Sequence, residues 1–388
     1  MKIDTDPEKI EEVLSRGVEN IYPSKDFLKK RLESGERLTI YHGIDPTGTT
    51  LHLGHSVPLR KLGQFQKSGH HIIFLIGGLT ATIGDPTDKL AARKKLTPEQ
   101  VEQNARLYKD QASRFISFDG ENPAEMKNNY EWLANMSMEE TFTLMSNATY
   151  AQTIKRDMFQ KRIEEGKDIY MHEFMYPLLQ GYDSVVMDVD GEVGGNDQTF
   201  NMLVGRDLLK KYKNKEKFVV SVKLLVDPTG KKMGKTEGNM VAFTDSAEDA
   251  FGKVMSWPDT LMPLAYELCT DQEMGGEGME AKFKLAELIV GSYWGEKAAE
   301  NARANWTATF SKGETPENIL EIKADEQNFL SDTLIGQGII ASKNEWRRLV
   351  NDGAVSMDGE KITNLLAQAK SGTYRIGKHR FLKISTNT

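Results

Sequence analysis

The feature that most constrains the fold is an alternation of short apolar runs with longer amphipathic segments between Leu38 and Leu224. The short runs have the length of buried strands, and the segments between them have the spacing of helices. Strands separated by helices predict an α/β fold with a doubly wound, parallel nucleotide-binding sheet, whose ligands bind at the carboxyl ends of the strands. Strands are predicted at Leu38–Tyr41, Ile72–Ile76, Ser184–Met187 and Phe218–Val220.

Two histidines follow the first of these strands at a predicted strand-to-helix junction. His52 and His55 are three residues apart, with Gly54 between them, just before a segment of helical spacing from Val57 to Phe65. A helix start offers unpaired backbone N–H groups and the positive end of its dipole, and both suit a phosphate. The pair therefore predicts a phosphate site, although histidines in such a position are also typical of protein surfaces and metal sites.

A second stretch lies far downstream and reads Gly230-Lys231-Lys232-Met233-Gly234-Lys235-Thr236. Alone, it is also typical of a solvated loop. Together, the two stretches resemble the HxGH and KMSKS motifs of class I aminoacyl-tRNA synthetases, with Gly234 where that consensus has serine. Further motifs resemble the tyrosyl-tRNA synthetases of bacterial type, and this resemblance covers nearly the whole chain. They are Tyr41-x-Gly43-x-Asp45-Pro46-Thr47, Gly84-Asp85-Pro86-Thr87, Gln180-Gly181-Tyr182-Asp183 and Gly194-Gly195-Asn196-Asp197-Gln198.

The resemblance implies that the chain activates tyrosine with ATP, which arrives with Mg²⁺, and transfers the tyrosine to its cognate tRNA. It implies a catalytic set of His52, His55, Thr47, Lys232, Lys235, Thr236, Lys89 and Arg93. It implies an ATP-binding set of Gly43, Asp45, Gly54, Gly195, Asp197 and Met233. No dedicated metal site of the protein itself is predicted. For Lys89 and Arg93, a solvated helix start is the alternative.

One predicted helix carries several of the residues expected to bind the amino acid. Tyr176, Gln180 and Asp183 stand at i, i+4 and i+7, so on a helix they share an arc of roughly 60°. Three polar side chains on one face of an otherwise apolar segment predict a lined pocket. The resemblance implies a tyrosine-binding set of Tyr41, Asp85, Tyr176, Gln180, Asp183 and Gln198, with Tyr41 and Asp183 at the phenolic hydroxyl.

The predicted domains are a catalytic domain at 1–228, a mobile lysine loop at 229–242, a helical tRNA-binding domain at 243–324 and a C-terminal RNA-binding domain at 325–388. Residues 7–34 are predicted as amphipathic helices that precede the first strand. A helical insertion at about 98–162 implies, by resemblance, the interface of a homodimer. Within it, Asn128-Asn129-Tyr130-Glu131-Trp132-Leu133 matches a family motif, and Trp132 is alternatively a core anchor.

The last sixty or so residues change in character. Segments 330–335 and 342–350 read as helices, and Asp358-Gly359 predicts a tight hairpin turn. This small α+β arrangement resembles the RNA-binding domain shared with ribosomal protein S-four. From Ser371 onward there are four basic residues and no acid, which suits an RNA backbone, although a basic tail is often only solvated. The RNA-binding set is predicted as Lys343, Arg347, Arg348, Arg375, Lys378 and Arg380.

Composition narrows the class of protein further. The chain is 39% hydrophobic and 28% charged with a net charge of -7, values typical of a globular protein and unlike those of a general nucleic-acid coat protein. The single Cys269 excludes an internal disulfide and a multi-cysteine zinc site. No apolar run approaches the roughly 20 residues that span a bilayer. The first thirty residues fit neither a secretory signal nor a transit peptide, so a cytoplasmic protein is expected.

Three other functions fit parts of the pattern. A tryptophanyl-tRNA synthetase shares the fold, but Tyr41 and Asp183 suit a phenol. A nucleotidyltransferase of the HxGH superfamily would not need the lysine stretch or the basic tail. A noncatalytic RNA-binding splicing cofactor derived from a synthetase would not need the histidine and lysine motifs to be intact.

Overall fold

The computed structural model describes residues 2–87, 96–226, 240–311, 320–325, 327–340, 342–377 and 380–387. The chain divides into two compact units. The first unit comprises Met1–Asp245 and Ser256–Tyr293, and the second comprises Ser246–Met255 and Trp294–Thr388. The four-part domain division made from the sequence stays a prediction.

The first unit is built on a six-stranded sheet of order β1-β6-β5-β2-β3-β4. Its strands are β1 (Val18–Tyr22), β2 (Thr39–Ile44), β3 (His71–Ile76), β4 (Glu125–Asn128), β5 (Gly191–Gly195) and β6 (Phe218–Val222). Strand β1 runs antiparallel to β6, and the other neighbours pair in parallel. The predicted doubly wound α/β fold is therefore confirmed.

Helices cover this sheet and connect its strands. They are α1 (Pro7–Ser15), α2 (Lys25–Glu33), α3 (Leu53–Lys67), α4 (Thr80–Ile83), α5 (Pro98–Ala105), α6 (Tyr108–Ala112), α7 (Tyr130–Leu133), α8 (Met138–Met145), α9 (Tyr150–Thr153), α10 (Asp157–Glu164), α11 (Tyr176–Met187) and α12 (Thr199–Lys213). Several begin at side-chain caps that satisfy the first backbone N–H groups. Asp6 caps α1, and Ser137 forms a capping box with Glu140 in α8.

The strand order places a crevice at one point of the sheet. The chain proceeds outward through β2, β3 and β4 in one direction and through β5 and β6 in the other, so the order reverses between β2 and β5. Ligands of open α/β sheets bind at such a reversal, beyond the carboxyl ends of the strands. Asp45 and the stretch Asn196–Gln198 follow β2 and β5, which places them at this edge.

Two glycines allow α11 and α12 to pack closely beside the crevice. A Cβ atom on Gly181 would lie 3.0 Å from the backbone nitrogen of Gly205 and 2.9 Å from Leu208 Cδ1. Neither position has room for a larger residue. Pro177 is tolerated because it lies in the first turn of α11, where its missing N–H would have had no partner within the helix.

The second unit contains a five-stranded sheet of order β7-β11-β10-β8-β9. Its strands are β7 (Leu320–Asp325), β8 (Val355–Met357), β9 (Glu360–Lys361), β10 (Gly372–Ile376) and β11 (Arg380–Asn387), and its helices are α13 (Ala247–Met255), α16 (Glu296–Ser311), α17 (Leu330–Gly336) and α18 (Lys343–Asn351). Trp346 and Tyr374 are buried in its core. The predicted helices and hairpin are confirmed, and Asp358 and Gly359 both have positive φ at the turn.

The two remaining helices, α14 (Met262–Cys269) and α15 (Gly278–Trp294), belong to the first unit up to Tyr293. They bear out the helical pattern predicted after the lysine stretch. Within the described ranges, no helix combines the length and apolar character that crossing a bilayer requires.

The strand predicted at Ser184–Met187 is wrong. These residues are the last turn of α11, which ends where Asp188 adopts a left-handed conformation with φ 49°. The apolar run packs as part of a helix, and a run of four residues does not distinguish a buried helix turn from a buried strand. The strand of this region is instead β5, whose sequence Gly191-Glu192-Val193-Gly194-Gly195 contains residues of low strand propensity.

Three other expectations also need correction. Residues 7–34 are not purely helical, because β1 forms an antiparallel edge strand between α1 and α2. The segment 98–162 is not purely helical either, because β4 pairs with β3 and extends the main sheet. The domain predicted as helical at 243–324 is not helical to its end, because Ile322 lies in β7. In each case pairing with a distant strand decides the structure, and a local pattern does not show that pairing.

Candidate active site

Two residues of the predicted pocket, Tyr41 and Asp183, are fully enclosed. Tyr41 lies on β2 with no exposed surface, and Asp183 on α11 is 2% exposed. Both oxygens of Asp183 accept hydrogen bonds: Oδ1 from Trp132 Nε1 at 2.8 Å and Oδ2 from Asn129 Nδ2 at 3.1 Å. The carboxylate is thus held in one orientation by two residues at the end of β4 and in α7.

The same enclosure changes the acid–base properties of both groups. Burial raises the pKa of Asp183 well above its ordinary value, and the hydrogen bonds from Asn129 and Trp132 oppose this shift. Burial, followed by the charges of Glu192 and Asp183, raises the pKa of Tyr41 well above its ordinary value. The Tyr41 hydroxyl therefore keeps its proton at neutral pH and can act as a hydrogen-bond donor.

A second group of polar residues lies around Tyr176. Its hydroxyl donates to Asp45 Oδ2 at 2.9 Å, and Thr80 donates to Asp45 Oδ1 at 2.7 Å. Burial raises the pKa of Asp45 to about 7, against the effect of these two donors. The Asp45 carboxylate lies so close to the backbone of residue 77 that only glycine fits there, because a Cβ atom on Gly77 would lie 1.9 Å from Asp45 Oδ1.

Asp85 joins this group through the start of α12. Gln198 Nε2 donates to Asp85 Oδ2 at 2.6 Å, and the Thr87 backbone N–H donates to Oδ1 at 2.8 Å. Burial raises the pKa of Asp85, while Thr87 and Gln198 lower it. Asn201 in turn donates to Gln198 Oε1 at 3.0 Å, so the amide of Gln198 is oriented from both sides.

A buried ion pair lies between these two groups. Lys217 donates to Glu192 and also, at 2.8 Å, to Ser184 Oγ, which lies 2.9 Å from the Tyr41 hydroxyl. Glu192 Oε1 accepts from Gln180 Nε2 at 3.2 Å. Burial lowers the pKa of Lys217, and the Glu192 charge opposes that shift.

The two histidines form the N-terminal turn of α3. His52 is the N-cap residue, and its Nδ1 accepts from the Gly54 backbone N–H at 3.1 Å. His55 Nδ1 accepts from the His52 backbone N–H at 3.1 Å, and the two ring centroids are 3.9 Å apart. Because both Nδ1 atoms act as acceptors, each neutral ring carries its proton on Nε2, where it can donate to a ligand oxygen.

Gly54 is required by this arrangement. A Cβ atom at that position would lie 2.9 Å from His52 Cε1, so any side chain would displace the ring. Thr47 lies exposed in the loop that precedes the helix, and Gly43 is exposed near the end of β2. On the other side of the crevice, a Cβ on Gly195 would lie 2.5 Å from Asp197 Oδ1.

The described residues that follow the lysine stretch lie against the histidine turn. The Leu53 backbone N–H donates to Val241 O at 3.0 Å, and the Phe243 N–H donates to Leu51 O at 3.0 Å. His52 pairs with Ala242 in a short antiparallel bridge. Residues 241–243 therefore lie directly beside the histidine turn.

Several predicted site residues lie outside the described residues. These are Lys89, Arg93, Lys232, Met233, Lys235, Thr236 and Lys378. Of the other predicted residues of the first unit, Asp45, Asp197 and Gln198 follow strands β2 and β5 at the carboxyl edge of the sheet. Hydrogen bonds join Tyr176 to Asp45 and Gln198 to Asp85 there. In the part of the chain that the structure describes, no group of three or more His, Cys, Asp or Glu side chains is arranged to hold a metal ion.

The predicted RNA-binding residues lie in the second unit. Arg347, Arg348 and Arg375 are exposed, whereas Arg380 donates to Glu345 at 2.8 Å and Lys343 pairs with Asp332 at 3.0 Å. The basic residues are thus divided between exposed cations and cations that are paired with an acid.

The sequence is similar to known proteins along most of its length. Residues 33–311 match the family described as tRNA synthetases class I (W and Y). The chain belongs to this family. One relative, the tyrosine–tRNA ligase of Haemophilus ducreyi, is 40% identical over 96% of this chain and 97% of its own length. The tyrosine–tRNA ligase of Desulfotalea psychrophila is 41% identical over 92% of each chain.

Two solved structures of tyrosyl-tRNA synthetases have a similar fold. A C-terminally truncated mitochondrial tyrosyl-tRNA synthetase from Aspergillus nidulans aligns with a TM-score of 0.64 at 20% identity, covering 78% of this chain and 94% of that one. The corresponding protein from Coccidioides posadasii aligns with a TM-score of 0.61 at 23% identity, covering 76% and 91%. At this level of identity the likeness concerns the fold alone.

Five residues around the predicted site were not found from the sequence. Four of them share a hydrogen bond with a predicted site residue: Thr80 with Asp45, Asn129 with Asp183, Ser184 with Tyr41 and Glu192 with Gln180. The fifth, Lys217, donates to Ser184 and Glu192. Burial of a lysine or a glutamate is rare and would have pointed to a functional position. The sequence around Lys217 and Glu192, however, contains no motif that predicts that these side chains are buried.

Proposed function

We propose that this chain is a tyrosine–tRNA ligase whose active site lies in the crevice between β2 and β5. The ligase function follows from the family and from relatives of that name over nearly the full length of the chain. The observation that carries the choice of tyrosine is the enclosed pair formed by Tyr41 and Asp183. A buried donor and a buried carboxylate suit a phenolic hydroxyl. An amino acid without that hydroxyl would give the Tyr41 O–H and the remaining lone pairs of Asp183 no partner on the ligand.

The amino end of tyrosine is assigned to the group around Tyr176. The α-ammonium has only donors, and Asp85, Gln180 and the Tyr176 hydroxyl offer acceptor oxygens. Gln198 supports this role because it orients Asp85 through a hydrogen bond of 2.6 Å. The three acceptors and the Tyr41–Asp183 pair are assigned to opposite ends of the same ligand.

The phosphates of ATP are assigned to the turn formed by His52 and His55. In the reaction, an oxygen of the tyrosine carboxylate attacks the α-phosphorus, the bond to the bridging oxygen breaks, and pyrophosphate leaves. The Nε2–H groups of both histidines donate to phosphate oxygens as negative charge shifts to the leaving group. Thr47, Lys89, Arg93, Lys232, Lys235 and Thr236 are assigned to the same phosphates.

The nucleoside is assigned to the glycines and acids at the ends of β2 and β5. Gly43, Gly54 and Gly195 allow close approach of a ligand to the backbone. Asp45 and Asp197 offer carboxylates for hydroxyl groups of the ribose, and Met233 lies in the lysine stretch. We assign Mg²⁺ to the phosphates of ATP, where it neutralises charge, and to no dedicated protein cage.

Transfer of tyrosine to tRNA is the second step. The terminal ribose hydroxyl of the tRNA attacks the carbonyl carbon of tyrosyl-adenylate, and AMP leaves. The exposed cations Arg347, Arg348 and Arg375 of the second unit are assigned to the RNA backbone, together with Lys343, Lys378 and Arg380. A triple substitution of the three exposed arginines by alanine should lower tRNA charging and leave adenylate formation intact; equal loss in both reactions would contradict the assignment.

The assembly is proposed to be a cytoplasmic homodimer. Met138, Phe142 and Tyr150 in the inserted segment expose 70%, 61% and 71% of their surface, which is unusual for large apolar side chains. A second copy of the chain would cover them. Sedimentation of the Phe142→Asp variant should show a shift toward the monomer, and an unchanged dimer would remove this surface from the interface.

Tyrosine-dependent exchange of pyrophosphate into ATP is the experiment that tests the proposed function. We expect exchange with tyrosine and little with tryptophan or phenylalanine. Exchange that depends on tryptophan would assign the chain to the other branch of the family. Absence of exchange, with retained RNA binding, would favour the noncatalytic alternative.

A further inference from the structure

A charged pair is buried behind the proposed tyrosine pocket, and the proposed function does not use it. Lys217, the residue before β6, has no exposed surface, and its partner Glu192 on β5 is 3% exposed. Ser184 on α11 also has no exposed surface and accepts from Lys217 Nζ at 2.8 Å. Removing a lysine and a glutamate from water costs free energy of folding. A buried pair of this kind is therefore a candidate for a functional role.

The helix packing leaves space for this pair. A Cβ atom on Gly205 would lie 2.7 Å from Lys217 Nζ and 2.9 Å from Ser184 Oγ. The absence of a side chain at position 205 therefore permits both the close approach of α11 to α12 and the placement of the ammonium beneath them.

The pair connects the two ends of the proposed pocket. Glu192 Oε1 accepts from Gln180 Nε2 at 3.2 Å, which leads to the amino end. Ser184 Oγ lies 2.9 Å from the Tyr41 hydroxyl, which leads to the phenol end. A continuous chain of hydrogen bonds thus runs from Gln180 through Glu192, Lys217 and Ser184 to Tyr41.

We propose that Lys217, Glu192 and Ser184 are positioning residues that determine which atoms Gln180 and Tyr41 present to tyrosine. This inference rests on the proposed function. At the amino end, an ionised carboxylate can only accept, so Glu192 fixes the amide nitrogen of Gln180 toward itself. Gln180 Oε1 is buried and has no hydrogen-bond partner in the described part of the chain. That oxygen is the acceptor presented to the α-ammonium of tyrosine.

At the phenol end, the order of donors follows from the ammonium. Lys217 can only donate, so Ser184 Oγ accepts from it and keeps its own proton, which it donates to the Tyr41 oxygen. The Tyr41 proton is then directed to the phenolic oxygen of the substrate. Asp183 accepts a hydrogen bond from the phenolic O–H of the substrate. Gln180 and Tyr41 are thereby each held in one hydrogen-bonding orientation toward the two ends of the ligand.

Two ratios measure this role. The first is kcat/KM for tyrosine divided by kcat/KM for phenylalanine in pyrophosphate exchange, which reports on the phenol end. The second is the dissociation constant of 3-(4-hydroxyphenyl)propanoate, which lacks the amino group, divided by that of tyrosine. A role confined to packing would weaken all ligands alike and leave both ratios unchanged.

The variants separate the two ends of the chain of hydrogen bonds. Ser184→Ala should lower only the first ratio, by about 5- to 10-fold, the effect expected for one hydrogen bond. Glu192→Gln, whose amide can also donate, should lower both ratios, by about 10-fold each. Lys217→Met should resemble Glu192→Gln. Lys61→Met is the matched control, because Lys61 is also buried and donates to Val13 O at 2.8 Å, yet it should leave both ratios unchanged.

The outcomes distinguish this inference from the proposed function. If the unmodified chain catalyses tyrosine-dependent exchange and both ratios are the same in Ser184→Ala and Glu192→Gln as in the unmodified chain, the positioning role is overturned while the proposed function stands. If the unmodified chain shows no such exchange, the proposed function itself fails. Should Lys217→Met not fold, the Ser184→Ala result alone decides the phenol end.

Discussion

The phenol end and the phosphate end of the candidate site are built in different ways. At the phenol end, Tyr41 and Asp183 are fully enclosed and each is hydrogen bonded by residues that are distant in sequence. At the phosphate end, His52 and His55 are half-buried and orient one another within a single helix turn. The difference indicates that the proposed phenol end depends on the tertiary structure, whereas the turn proposed to bind phosphate is largely a local property of the sequence.

The largest effect is expected from Asp183→Asn. An amide has a single acceptor oxygen, so either Asn129 or Trp132 would face an NH₂ group, and the substrate phenol would also lose its acceptor. Two stranded groups at roughly 1–3 kcal/mol each predict a loss of about 10²- to 10⁴-fold in kcat/KM for tyrosine. Steady-state pyrophosphate exchange measures it. A loss below tenfold would mean that the phenol end is not built around this carboxylate.

A smaller and different effect is expected from His55→Ala. Removing one donor to the charge that develops in the transition state should lower kcat by about 10²-fold, with little change in the affinity for tyrosine. Equilibrium binding of tyrosine to the variant provides the control. If the affinity for tyrosine falls as much as kcat, His55 also affects tyrosine binding, and the two ends of the site do not act independently.

Trp132→Phe sharpens the comparison at the phenol end. The substitution removes the indole N–H that donates to Asp183 at 2.8 Å and keeps an aromatic ring in its place. Loss of one hydrogen bond to a charged group predicts about a tenfold loss in kcat/KM for tyrosine. The same kinetic parameter for phenylalanine should change less, since phenylalanine has no hydroxyl for Asp183 to bind. Equal losses would assign Trp132 to packing alone.

A further expectation concerns the pH dependence of stability and not catalytic activity. The pKa of Asp45 is about 7 in the folded chain, above its ordinary value of 3.8. The folded state therefore binds this proton more tightly, and the resulting stability is present below about pH 4 and is lost as the pH rises toward 7. Asp45→Asn should gain stability relative to the unmodified chain over that range. Urea unfolding at several pH values measures the difference, and parallel profiles would contradict it.

The sequence predicts the local features of this protein better than its long-range ones. The strand before Asp45, the helix after His55 and the hairpin at Asp358 are confirmed, since each depends on a local pattern or on turn chemistry. Strand β5 was not predicted because glycine and glutamate have low strand propensity. These residues form a strand in a buried position between β2 and β6, which the local sequence does not show. The run before Asp188 was assigned to a strand because Val185, Val186 and Met187 are too few apolar residues to show a period.

The same limit applies to the candidate site. Tyr176, Gln180 and Asp183 were grouped correctly on one helix, because a helix face can be derived from spacing. Their partners are Asp45, Glu192 and Asn129, which lie on other elements and meet them only in the folded chain. Spacing along the sequence cannot show such contacts.

Selection of tyrosine by its hydroxyl is tested most directly by comparing the unmodified chain with Tyr41→Phe. We propose that an enclosed donor and an enclosed carboxylate select tyrosine through this hydroxyl. The measurement is the ratio of kcat/KM for tyrosine to that for phenylalanine in pyrophosphate exchange. We expect Tyr41→Phe to remain active and its ratio to fall by about tenfold, the effect of one hydrogen bond. A ratio equal to that of the unmodified chain would contradict the claim.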